Sequence, residues 1–170
     1  RRQRQMCIRD RNIILAAQAA KEVTVKDVYV VPSRTVPQGL AAMLMHNPEG
    51  DVEKVAEKME KSLADVRTGE ITTATRTVEI DGVNVETGQV IALLDGKLVL
   101  AASTVEEATL SLLEKAEVED YELITMFVGA DYSRSEANKV ADVVQEKFPD
   151  QEVEMQDGGQ PHYQLIIAIE

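Results

Sequence analysis

Val30-Val31-Pro32-Ser33-Arg34-Thr35-Val36-Pro37-Gln38-Gly39 is the stretch on which the fold turns. Tyr29, Val30 and Val31 are aromatic and β-branched, which suits the end of a short strand from Asp27 to Val31. Pro32 stops the ladder because it has no N–H to give. Pro37 has a backbone φ already set for a first helical turn, so a helix is expected from Pro37 to about Met45. Ser33, Arg34, Thr35 and Gln38 then lie between the carboxyl end of a strand and the amino end of a helix, where open α/β sheets meet ligands and partners. A plainer reading gives Ser33 and Thr35 the task of satisfying loose backbone donors around the turn.

Upstream, Ile13-Ile14-Leu15-Ala16-Ala17-Gln18-Ala19-Ala20 has high helical propensity. Residues 1–11 differ from the rest: they hold five of the eighteen basic residues and only one acid. They resemble a translated sequencing adapter and read as non-native; the functional alternative is a basic nucleic-acid-binding arm. Without them thirteen basic residues face twenty-nine acidic ones, a net charge of −16 against −12 for the whole chain. Such a balance repels phosphate backbones and anionic membranes and favours a basic partner. No apolar run approaches the roughly 18 residues needed to span a bilayer, so a cytoplasmic location is expected.

Downstream, Asn47-Pro48-Glu49-Gly50 breaks the chain and Asp51 caps a helix whose apolar positions Val52, Val55, Ala56, Met59, Leu63 and Val66 share one face. Near Thr68-Gly69 the period becomes alternating, which sets an expected lobe boundary. The lobes are then 12–68 and 69–170. Asp81-Gly82, between Ile71–Ile80 and Val83–Glu86, and Asp95-Gly96, between Val90–Leu94 and Lys97–Ala101, are hairpin turns. Thr104-x-x-Glu107 and Ser133-x-x-Glu136 are capping boxes that start two helices. Leu123–Val128 and Leu165–Ile169 are nearly continuous apolar strands, as expected when both faces are covered. The class is α/β with a mixed sheet.

Chemistry-bearing residues are few. Cys7 is the sole cysteine and lies in the adapter-like segment, and His46 and His162 are far apart, so no thiolate or imidazole metal set is evident. There is no Gly-x-x-x-x-Gly-Lys-Ser/Thr loop and no Gly-x-Gly-x-x-Gly, and no clustered carboxylates suit a magnesium nucleotide. No metal site is expected. An unrelated enzyme acting through Ser33, Arg34 and Thr35 has no base for Ser33 nearby in sequence.

The run Val-Pro-Ser-Arg-Thr-Val-Pro-Gln-Gly, together with Val128-Gly129-Ala130-Asp131 and Gly158-Gly159-Gln160-Pro161 followed by Tyr163, resembles the C-terminal domain of the ATP-binding subunit of bacterial fatty acid kinase, a dihydroxyacetone-kinase-like family protein. The resemblance covers roughly residues 12 to 170. It implies a two-lobed DegV-like arrangement whose first lobe is incomplete, because the family's domain begins upstream of Asn12 with a glycine-rich loop. It places ATP and magnesium in a separate N-terminal domain, so this chain alone is expected to be non-catalytic and to hold no cofactor. The implied partner is a fatty-acid-binding carrier protein whose bound fatty acid is phosphorylated, with no nucleic acid and no membrane insertion; a homodimer of the full-length kinase protein is compatible with it. Lipid metabolism and phospholipid synthesis are the implied setting. Ser33, Arg34, Thr35, Gln38, Gly158, Gly159, Gln160, Pro161 and Tyr163 are the candidate partner- or ligand-binding residues. The chain also looks, more distantly, like the DegV-type carriers, which keeps an acyl-lipid or small-molecule binding module as the alternative. It departs from them in having Gly158-Gly159-Gln160-Pro161-His162-Tyr163 where carriers have a His-x-Gly-Pro-Gly type loop.

Overall fold

A computed structural model describes residues 11–80 and 82–170. The chain divides into two compact units, the first ending at Val66 and the second running Arg67–Glu170. The division falls two residues before the expected change at Thr68-Gly69, because Arg67 already sits in the first strand.

The first unit is helical in its described residues. Helices α1 (Arg11–Val23), α2 (Val36–Leu44) and α3 (Val52–Lys61) are joined without any strand. The expected strand Asp27–Val31 is therefore corrected: these residues lie outside any ladder. β-propensity needs a neighbouring strand to act on, and this unit offers none among its described residues. The Ser33 N–H instead turns back onto the Val31 carbonyl at 2.9 Å.

Helix α2 starts one residue before Pro37. Thr35 is its N-cap in an extended conformation, with Oγ1 accepting from the Gln38 N–H at 3.3 Å. Helix α3 is capped by Asp51, whose Oδ1 accepts from the Lys54 N–H at 3.1 Å. Glu53 in its first turn and Lys58 and Lys61 in its last complement the helix dipole. The apolar pattern running on to Val66 does not prolong this helix. After Lys61 the chain tightens into i to i+3 bonds, Leu63 to Glu60 and Ala64 to Lys61.

The second unit is built on a six-stranded mixed sheet. Its strands are β1 (Arg67–Thr73), β4 (Val90–Leu94), β5 (Lys97–Ala102), β6 (Leu123–Val128), β7 (Glu152–Asp157) and β8 (Tyr163–Ile169). They lie in the order β5-β4-β1-β8-β6-β7. Only β6 and β7 run parallel, and the chain between them includes α5 (Arg134–Lys147). Central β8 is buried from Leu165 to Ile169, which accounts for its unbroken apolar sequence.

Asp95 and Gly96 both take positive φ, 52° and 80°, as a two-residue turn between β4 and β5 demands. The other hairpin is shorter than its sequence suggests. Its ribbon pairs β2 (Val78–Ile80) with β3 (Val83–Val85) around Gly82, and Asp81 lies outside the described residues. The run Ile71–Ile80 breaks at Ala74, which donates to Gln89 O and accepts from Gly88 N; upstream of it β1 is engaged by β4 and β8.

Helices α4 (Val105–Lys115) and α5 begin at the two expected boxes, with Thr104 Oγ1 accepting from Glu107 N and Ser133 Oγ from Glu136 N. Both helices bury their apolar stripes in one core with Ile71, Ile124, Met126, Leu165, Ile167 and Ile169.

Candidate functional site

The candidate residues fall into two sets, one in each unit. In the first unit the turn is stitched by its own side chains. Gln38 Oε1 accepts from the Arg34 N–H at 3.0 Å and its Nε2 donates to the Leu63 carbonyl at 3.1 Å. Thr35 and Gln38 thus form a capping arrangement of the Thr-x-x-Gln kind, a spacing visible in the sequence but not singled out there. Thr35 and Gln38 are occupied in holding the turn, and Ser33 is half-buried beside them. Arg34 is different: its side chain is exposed and makes no hydrogen bond or ion pair among the described residues. It is the member of this set free to meet a partner.

In the second unit the loop after β7 folds back over the carboxyl end of β6. The Gly158 and Gly159 N–H groups both donate to the Val128 carbonyl, at 3.0 and 2.9 Å. Gln160 reaches further, its Nε2 donating to the Phe127 carbonyl at 2.8 Å while its own carbonyl accepts from the Ala130 N–H at 2.9 Å. Gly159 (φ 63°) and His162 (φ 74°) take the left-handed conformation, which costs little at glycine and more at histidine. The His162 carbonyl is held by Thr72 Oγ1 at 2.5 Å. Gly158, Gly159, Pro161 and His162 present an exposed surface, while Gln160 is turned inward and Tyr163 is already the first residue of β8.

Gly129 is the residue that makes this closure possible. A Cβ there would collide with the Tyr163 carbonyl and lie 3.1 Å from the Gln160 carbonyl. Beside it, burial and then the nearby Glu136 and Glu106 push the Tyr132 phenol above its ordinary value. Arg134, at the start of α5, pairs with Asp157 at 2.6 Å and donates to the Met155 carbonyl, tying the helix start to the end of β7.

Concavities are modest. In the first unit a hollow of about 240 Å³ is lined mainly by Tyr29, Val31, Pro48, Val55, Ala56 and Met59, below the roughly 300 Å³ at which ligand pockets begin. In the second, a hollow of about 360 Å³ is rimmed by Glu114, Glu117, Glu119 and Asp120. Among the described residues no group of three or more His, Cys, Asp or Glu side chains could hold a metal ion.

Comparison with known proteins places this architecture. The family model for the FakA-like C-terminal domain, the C-terminal domain of fatty acid kinase proteins, matches residues 8–170. The chain belongs to this family. The match begins inside the adapter-like segment 1–11. Protein YloV of Bacillus subtilis is 34% identical over 159 residues, covering 94% of this chain and 29% of that protein. An uncharacterized protein of Staphylococcus epidermidis is 33% identical over 161 residues, covering 95% of this chain and 29% of the relative. The chain thus spans under a third of the length of these relatives. Among solved structures, the DegV family protein Cg2579 of Corynebacterium glutamicum shares the fold, with a TM-score of 0.60 at 16% identity over 91% of this chain and 68% of that one. That likeness agrees with the DegV-like, mixed-sheet α/β reading. No helix among the described residues is long and apolar enough to cross a membrane.

Proposed function

We propose that this domain is the non-catalytic, carrier-docking part of a fatty acid kinase. It holds a fatty-acid-binding carrier in the cytoplasm so that an ATP- and magnesium-binding domain elsewhere in the longer polypeptide phosphorylates the bound acid for phospholipid synthesis. Family membership over residues 8–170 carries the reading. The site geometry supports it: a rigid loop rim at Gly158–His162 and a free Arg34 are surfaces for a macromolecule, since loops held by a rigid scaffold carry recognition. The acyl-binding alternative rests on the shared DegV fold, and the small hollow in the first unit gives it little volume to work with.

Calorimetric titration of the chain with a fatty-acid-loaded carrier tests the proposal. Saturable binding of about micromolar strength, near −8 kcal/mol, is expected. Absence of carrier binding together with uptake of free fatty acid by the isolated chain would transfer the function to the acyl-binding alternative.

A further inference from the structure

One face of the mixed sheet places a carboxyl in an apolar field. Residues paired across strands share a face. Glu70 of β1 stands opposite Leu93 of β4 and Ile166 of β8; Leu93 in turn faces Leu98 of β5, and Ile166 faces Phe127 of β6. Ile71, its neighbour in β1, points into the core shared with α4 and α5, so the Glu70 row lies on the opposite face of the sheet. Glu70 is half-buried and makes no hydrogen bond or ion pair among the described residues. Burial alone lifts its carboxyl above the usual carboxylate range, with no neighbouring charge contributing.

We infer that this face receives a protein partner through an arginine or lysine whose cation meets the Glu70 carboxylate and whose aliphatic stem lies along Leu93 and Ile166. A carboxylate among apolar side chains is costly unless paired. A long cationic side chain satisfies both features at once, covering apolar surface with its stem and the charge with its head. The apolar row runs from β5 to β6, four strand spacings or about 19 Å, the footprint of a peptide segment rather than of a small amine. The net charge of −12 steers basic partners toward the chain.

The test uses the whole chain with labelled Leu and Ile methyl groups, titrated with n-butylguanidinium and in parallel with n-butanol. Leu93 and Ile166 resonances are expected to shift saturably with the guanidinium and not with the alcohol. In Glu70→Gln the apparent affinity should fall about tenfold, as loss of an ionic hydrogen bond requires. Glu70→Asp, which keeps the charge, should retain the response and guards against a general loss of structure. Equal shifts with butanol, an unchanged affinity in Glu70→Gln, or no shift at all would overturn the inference. Because no carrier is present, such a failure leaves the carrier-docking proposal standing, and failure of carrier binding leaves this one standing.

Discussion

Gln160 Nε2 donates to the Phe127 carbonyl at 2.8 Å across the end of β6, and this bond makes the glycine-rich loop part of the sheet rather than a free hinge. Gln160→Ala should therefore cost about 1 kcal/mol of stability, the worth of one neutral hydrogen bond. Gly158 adds a check, since a Cβ there would collide with Gln160 Oε1, the far end of a flexible side chain. Gly158→Ala is expected to displace the same amide, so the double variant should cost little more than either single one in urea unfolding. Additive losses would show that the two residues act separately.

Gly129→Ala should be far worse. Its new methyl meets the Tyr163 carbonyl, which is backbone in β8 and cannot swing away. A loss of about 3 kcal/mol, the upper range for overpacking, is expected from denaturant midpoints. A loss under about 1 kcal/mol would mean that the strand end yields.

The contrast between these glycines shows how far the sequence was legible. Capping boxes at Thr104 and Ser133, the Asp95-Gly96 turn and the apolar runs of β6 and β8 are local patterns, and the structure carries each of them. Asp27–Val31 misled because a strand is a relationship between segments, and no partner segment lies among the described residues of its unit. The roles of Gln38 and Gln160 depend on the distant carbonyls of Leu63 and Phe127, which no local spacing announces. Glu70 was equally silent, since its apolar neighbours come from other strands.

Glu70 sets a pH dependence with a definite sign. Its folded-state carboxyl is raised by burial, so the folded chain keeps a proton over a range where the unfolded chain, at about pH 4.3, has already released it. Stability from this group is lost as pH rises from the unfolded value through the folded one, and the penalty stays in full above. Glu70→Gln lacks the penalty. Its advantage over wild type in urea midpoint should grow between about pH 4 and pH 7. A difference that is constant with pH would assign the effect to packing.

Asp95 joins two tasks. Its Oδ2 accepts from Arg67 Nε and Nη2 at 3.1 and 3.0 Å, its Oδ1 accepts from the Thr68 N–H at 2.9 Å, and its backbone takes φ 52°. Asp95→Asn keeps the turn and loses a partly exposed ion pair, for a cost of about 0.5 kcal/mol. Asp95→Ala also forfeits the bond to Thr68 and a residue type that tolerates the left-handed region, for about 2 kcal/mol. Equal costs in thermal unfolding would show that the ion pair, not the turn, is what the sheet needs.

Arg34 and Gln160 separate recognition from scaffolding. Arg34 is exposed and makes no hydrogen bond or ion pair among the described residues, so removing its side chain should leave thermal stability within about 0.5 kcal/mol. A planar guanidinium on a strongly acidic chain suits a carboxylate on the partner. If the carrier uses it, Arg34→Ala weakens binding about tenfold at low salt, and the loss shrinks as ionic strength rises and shortens the reach of the charge. Gln160→Ala, by contrast, lowers stability first and binding only through the loop it anchors. Comparing the two by calorimetry with a fatty-acid-loaded carrier, with melting temperatures alongside, distinguishes the roles. Unchanged affinity in Arg34→Ala at low salt would remove this turn from the docking surface.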